Sequence, residues 1–312
     1  MMKEPLFIVA KEVAAAVAAG KPIVALETTL VTHGLPRPHG LRVAEALEAA
    51  VREAGATPAT IGILGGAVRV GLSSCQLAAL AASDAAKVNP GNLAAVLATG
   101  ASGSTTVAAT LLAAHRAGIR VFATGGIGGV HRHAEATGDV SADLVALARH
   151  PVAVVTAGAK AVLDLMRTVE MLETLGVPVI GFRTDEFPAF YSRTSGLRVD
   201  HRCDDVSTLA AVVRRHFAIG PGTGVVVANP IPAEHALPPE EIASAIARAV
   251  AEAADRGIRG RDVTPFLLER LRELTAGRTV AVNRALLVHN AAVAAALARG
   301  LADATQDGSG KS

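Results

Sequence analysis

The chain has 312 residues, 51% of them hydrophobic but only 3% aromatic, with no Trp and a formal net charge of +2 from 30 Lys and Arg against 28 Asp and Glu. That length is enough to bury a large core and enclose a site, and a core so poor in rings must be built from Val, Leu, Ile and Ala. Balanced charge and few stacking platforms exclude a single-strand nucleic-acid binder or a basic nucleic-acid groove, and Cys75 and Cys203, far apart and in no motif, are expected to be reduced thiols of a cytoplasmic protein.

In chain order, Lys3, Glu4, Lys11 and Glu12 interrupt any apolar run that an export signal would need. AAAVAA then stops at Gly20, a position suited to a left-handed helix cap, as do LLAAHRA at Gly118 and LRELTA at Gly277. Short β-branched runs predict buried strands over 23–26, 60–64, 94–97, 121–123, 152–155, 179–181 and 224–228. Periodic Ala/Leu-rich stretches predict helices over 42–54, 105–117, 161–175, 240–256, 265–274 and 281–298. Gly65 and Gly66 suggest a hairpin turn into a second strand over 67–70, which makes the sheet mixed. The alternation implies a three-layer α/β/α fold around a central mixed, mostly parallel sheet. With no repeat and no linker, one domain over 1–303 is expected, followed by a disordered polar tail over 304–312. The uncharged stretch 88–114 is broken by Pro90, Gly91, Gly100 and Gly103, so it is not read as a membrane span.

Glu27 closes the apolar strand PIVALE just before the turn TTLVTHGLPRP, which contains His33. A carboxyl partly desolvated there can be tuned upward in pKa and donate a proton; equally, it can simply bond the turn that follows it. TGASGSTTVAATLLAAH places Thr105 and Thr106 before a helix whose free N–H groups can hold an anion. It lacks the Gly-Lys-Ser/Thr of a nucleotide P-loop, so a phosphorylated sugar fits better than ATP. Lys87 could add a point charge, although a solvated lysine is the commoner outcome.

VFATGGIGGVHRHAEATGDVSADL combines a Gly-rich loop, where backbone can approach a ligand closely, with His131, His133, Glu135, Asp139 and Asp143. The H-x-H pair has no third ligand at zinc-like spacing. Asp139 and Asp143 would share one face of a helix, where carboxylates also serve as an N-terminal cap. Lys160 ends PVAVVTAGAK, where an apolar strand runs into small residues, and sites in α/β folds collect at such strand ends. A desolvated amine there would be the neutral nucleophile that imine chemistry needs, whereas an arbitrary lysine more often snorkels to the surface.

Together the stretches VALETTLVTHGLPRP, STTVAATLLAAHRAGIRVFATGGIGGVHR, DVSADL, VVTAGAKAVLDL, TLGVPVIGFRTDEFPAFYSR, VVVANPIP and DVTPFLLERLRELTAGRTVAVNRALL resemble the pseudouridine-5'-phosphate glycosidase family, kin to the indigoidine synthase A proteins, over almost the whole chain. The resemblance implies a hydro-lyase-type enzyme that reversibly cleaves the C–C glycosidic bond of pseudouridine 5'-phosphate to uracil and ribose 5-phosphate. It implies Glu27 as proton donor and Lys160 as the nucleophile forming a Schiff base with the ring-opened ribose. Asp139 matches the residue holding one Mn2+ per subunit, largely through water. Lys87, Thr106, Val107, Ser141 and the adjoining Ala142 match positions around the phosphate and sugar, and Thr124, His131, Asp143 and Asn283 match further lining residues. The family's assembly is a homotrimer. The chain departs from many relatives at His133 and Gly138. Two other readings are a related glycosyl-transfer enzyme on another phosphosugar and a non-catalytic phosphosugar-binding protein, and the second has no use for both an acid and an amine.

Overall fold

A computed structural model of the chain describes residues 5–35, 38–258 and 263–308. Among them, strands β1 (Phe7–Val9), β2 (Ile23–Leu26), β3 (Thr57–Leu64), β4 (Ala67–Val70), β5 (Ala86–Val88), β6 (Gly103–Thr105), β7 (Val121–Ala123), β8 (Ala153–Thr156), β9 (Val179–Phe182), β10 (His201–Cys203) and β11 (Val225–Ala228) form one sheet. Its order is β1-β4-β3-β2-β7-β8-β11-β9-β10, with β6 pairing β3 and β5 pairing β6. Every pairing is parallel except β3 with β4 and β3 with β6. The sheet is therefore mixed and mostly parallel, as the alternating sequence pattern implies.

Central strands β2, β7, β8, β9 and β11 are buried along their whole length, as parallel strands must be when helices cover both faces. The β3–β4 hairpin turns at Gly65 and Gly66, both at positive φ (60° and 70°), which a two-residue turn of this hand requires. Gly20, Gly118 and Gly277 likewise lie at positive φ, at the ends of the helices where they were expected.

Three expectations change. Residues 94–97 are helical, inside Leu93–Ala98, because LAAVLA is an apolar run of good helix formers and periodicity alone does not separate it from a strand. Two helices start later than expected: the one from 105 begins at Val107, since Thr105 ends β6 and Thr106 is the cap, and the one from 161 begins at Leu165, capped by the Asp164 side chain. The last helix runs Arg278–Gly308, so the tail expected to be disordered from 304 is helical to Gly308, while 309–312 lie outside the described residues. The elements over Ser74–Ala82 and Val206–Ile219 were not anticipated.

By length and composition, Arg278–Asp303 could cross a membrane. In the fold it lies across β2, β7 and β8, with Leu286, Ala291, Ala294, Ala295 and Leu297 fully buried. It is a core helix; its Asn283 lines a cavity and its fully buried Asn290 donates to the backbone carbonyl of Thr124.

Candidate active site

Register places the C-terminal ends of β2, β7 and β8 side by side: Leu26 is opposite Ala123, and Ala123 is opposite Val155. The next residues along the chain are therefore delivered to one edge of the sheet, where open parallel folds bind ligands. Glu27 follows β2, Thr124 follows β7, and Lys160 lies four residues past β8.

Glu27 is only 6% exposed. Its two carboxylate oxygens accept from the hydroxyls of Thr29 and Thr124, the latter at 2.5 Å. Burial pushes the Glu27 pKa up, and this outweighs the nearby Lys160 charge and the two hydroxyl donors, all of which pull it down. The carboxyl is thus biased toward its protonated form, as a carbon-protonating acid requires.

Lys160 is half-buried. Its backbone is fixed by N–H donation to Ile127 O at 3.0 Å, while its carbonyl accepts from Leu163 N at 3.0 Å. Its side chain stands between two chambers and lines both. The inner chamber is also lined by Glu27, Thr29, His33, Thr124, Phe190 and Asn283. The outer one, about 730 Å3, is lined by Thr106, His131, Asp139, Ser141, Ala142 and Asp143. Lys87 borders both. Its side chain opens into the chamber yet is closely surrounded, and burial, then the charge of Lys160, push its pKa down.

The structure thus brings together every expected site residue except Val107, whose side chain is 1% exposed and belongs to the core. Val107 nevertheless opens the helix Val107–Arg116 at the outer chamber, so its backbone N–H is what it can offer a ligand. Thr105 is also committed elsewhere: its hydroxyl donates to Ile61 O at 2.7 Å.

Asp143 has a different task from the one its spacing suggests. It does not share a helix face with Asp139, which lies in the loop between the short helices Ala134–Thr137 and Ala142–Leu147. Its Oδ1 accepts from Ala108 N at 2.9 Å and its Oδ2 from Gly128 N at 2.7 Å. One buried carboxylate therefore caps a helix remote in sequence and clamps the Gly-rich loop to it. A Cβ on Gly128 would collide with Ser141 Oγ and lie 2.6 Å from Asp143 Oδ2, and one on Gly126 would lie 2.6 Å from the Phe190 ring. At these two positions glycine makes room for other side chains of the protein while its backbone borders the chambers.

The loop 131–139 is closed by a Val130–Val140 bridge and by His131 N–H donation to Asp139 O at 3.0 Å. The side chains of His131 and Asp139 meet at 3.8 Å (Nδ1 to Oδ2), and burial holds the His131 pKa down. His133 is 74% exposed in its side chain, adopts left-handed φ 64°, and lies outside both chambers. Among the described residues no group of three His, Cys, Asp or Glu is placed to ligate a metal.

A family model described as indigoidine synthase A like protein matches residues 12–300. The chain belongs to the indigoidine synthase A-like family. Similar relatives are the pseudouridine-5'-phosphate glycosidases of Methylobacterium nodulans, 54% identical over 98% of this chain and 91% of the relative, and of Paracoccus denitrificans, 52% identical over 96% and 99%. Among solved structures, the prealnumycin C-glycosynthase AlnA in complex with ribulose 5-phosphate superposes with a TM-score of 0.90 at 39% identity, covering 97% of this chain and 99% of that one. An indigoidine synthase A-like protein from Thermotoga maritima gives 0.87 at 38%, covering 95% and 97%.

In this family member some residues carry the site without having drawn notice in the sequence. Thr29 is the second donor to Glu27. Phe190, at φ 66°, roofs the inner chamber with its N–H on Ala157 O at 3.0 Å; a bulky residue held in the left-handed region marks a place where tertiary contacts override backbone preference. The one available signal for the Phe190 position was its setting in a run dense in Phe, Pro and Tyr within a chain otherwise poor in rings.

Proposed function

We propose that this chain is a pseudouridine-5'-phosphate glycosidase: with water, it reversibly cleaves pseudouridine 5'-phosphate to uracil and ribose 5-phosphate. One observation supports this above all, a buried carboxyl whose pKa burial raises and an amine lining the same cavity. Ordinary glycosidases protonate an oxygen leaving group between two carboxylates, but in a C-nucleotide the leaving atom is C5 of uracil. The Lys160 nitrogen bonds to C1' as the C1'–O4' bond breaks and the ribose opens, and a proton of the amine passes to O4'. The nitrogen lone pair then forms the C1'=N bond while the C1'–C5 bond breaks, and the proton of Glu27 goes to C5. Water hydrolyses the imine, which frees ribose 5-phosphate and restores the amine. In reverse, water is lost as the carbon bond forms, hence a reaction of the hydro-lyase type.

The chambers divide the substrate accordingly. Uracil fits the apolar inner chamber between Phe190, Leu287 and Asn283, and the phosphosugar fits the outer one. There Lys87, the Thr106 and Ser141 hydroxyls and the Val107 N–H offer charge and donors to phosphate. Mn2+ belongs to the same reading. Asp139, a carboxylate at the outer chamber beside an imidazole whose pKa burial lowers, would hold a hydrated hard ion rather than enclose it in a cage of protein ligands. Such an ion would neutralise phosphate charge. A homotrimer in the cytoplasm completes the reading, and sedimentation checks the assembly.

Borohydride added during turnover should place the ribose 5-phosphate mass on Lys160, and Lys160→Ala should release no uracil; trapping on any other residue refutes the imine. A chelated enzyme that regains uracil release with Mn2+, and an Asp139→Asn variant that needs more of it, would support the ion's role. The resemblance to a C-glycosynthase complexed with ribulose 5-phosphate favours one second reading, C-glycosyl transfer to another ring. Faster turnover of a different C-nucleotide in a substrate panel would establish it.

A further inference from the structure

In VVVANPIP, Asn229 directly follows β11, and the long C-terminal helix carries Asn290 on its buried face; neither has a part in the reaction as set out above. Asn229 is 2% exposed and Asn290 is 0% exposed. The Asn290 Nδ2 donates to the backbone carbonyl of Thr124 at 2.8 Å, and its Oδ1 accepts from Asn229 Nδ2 at 2.8 Å. Asn229 is itself pinned by N–H donation to Thr156 O at 2.8 Å. The direction of this chain is fixed by chemistry: a carbonyl only accepts, so Asn290 must turn its amide nitrogen to Thr124 and its oxygen to Asn229.

Thr124 is where the chain meets the acid. Its N–H closes the ladder to β8 by donating to Val155 O at 3.1 Å, while its carbonyl lies beyond the last residue of β7, buried at a strand end where some donor is required. With both backbone groups held, the side chain is aimed so that its hydroxyl reaches Glu27 Oε1 at 2.5 Å.

We propose that Asn290, oriented by Asn229, is a positioning residue of the cleavage reaction: it holds Thr124 so that the threonine hydroxyl is donated to Glu27. The inference rests on Glu27 being the acid. The charges acting on Glu27 are those of Lys160 and Asp143, with Lys87 coupled to the same group, and none of them is altered by a neutral substitution at 290. Asn290→Leu keeps the branched four-atom shape, adds bulk at a fully buried position and removes the donor. The Thr124 hydroxyl favours the ionised form of Glu27, so its loss moves the acid's titration upward.

The test compares wild type, Asn290→Leu, Thr124→Val and the double variant for uracil release across pH, with rates referred to folded enzyme. Asn290→Leu should lower kcat about tenfold or more with KM within about twofold, shift the alkaline limb to higher pH, and have no further effect on kcat in the Thr124→Val background. An unchanged kcat and limb with only a lower melting temperature, or losses that multiply with those of Thr124→Val, would overturn the proposal. If Asn290→Leu does not fold, Asn229→Leu, which frees the Asn290 amide to turn, is read by the same criteria. A wild type that releases no uracil instead overturns the assigned reaction; the positioning role is then read from the carboxyl 13C resonance lost in Glu27→Gln, which must titrate higher in Asn290→Leu.

Discussion

Replacing Asp143 by Asn tests the clamp that holds the two sides of the outer chamber together. The two carboxylate oxygens accept from Ala108 N at 2.9 Å and Gly128 N at 2.7 Å, and the residue is 5% exposed. An amide keeps the shape but turns an NH2 group toward one of those two donors. One charge-assisted bond is lost, worth about 1.5–3 kcal/mol, and one buried N–H is left facing a donor at a cost of about 1–3 kcal/mol; partial relaxation of the loop gives a net loss of about 2–4 kcal/mol. Urea unfolding followed by circular dichroism measures it directly, and the midpoint should fall with little change in slope. Because Gly128 borders the outer chamber, KM for the phosphosugar should rise in the same variant. A stability within about 0.5 kcal/mol of wild type, which is the range of an ordinary surface substitution, would refute the claim that this carboxylate joins helix and loop.

Glu27→Gln should abolish uracil release yet raise stability at neutral pH. The hydroxyls of Thr29 and Thr124 can rotate to accept from the amide. Burial raises the carboxyl's pKa in the folded state, so its contribution is fully present below the unfolded value and is lost as pH rises through the folded one. A non-titrating amide escapes that loss, about 1.4 kcal/mol per pH unit between the two values; melting curves of the two proteins that run parallel from pH 4 to 8 would contradict it. His133→Gly should stabilise by about 0.5–1 kcal/mol, since it relieves a left-handed φ of 64° at an exposed position. It should leave uracil release unchanged, and both are checked by thermal melting and the standard assay.

Much of the site was legible because Glu27 and Lys160 sit where local pattern puts them. PIVALE and PVAVVTAGAK are apolar strands ending in a charged residue, and an alternating α/β chain makes parallel strands whose ends share one edge. The hairpin at Gly65 and Gly66 and the helix stops at Gly20, Gly118 and Gly277 were equally local, each a backbone requirement met by one residue type. LAAVLA was misread because a short apolar run carries no period that distinguishes helix from strand. The Gly-rich loop does border the chambers, but the groups that crowd Gly126 and Gly128, namely Phe190, Ser141 and Asp143, could not be read from it because they come from other parts of the chain.

By itself, then, the sequence determined the layered sheet and the family resemblance, and it set Glu27 and Lys160 each after an apolar run, since all of these follow from residues within a few positions of one another. Tertiary structure alone decided that Asp143 caps a helix 35 residues away, that Asn290 reaches back 166 residues to Thr124, and that Glu27 is deep enough for burial to raise its pKa. Those are matters of which unpaired donor, acceptor or charge is shut away from water beside which other. That is settled only when the strands have found their neighbours.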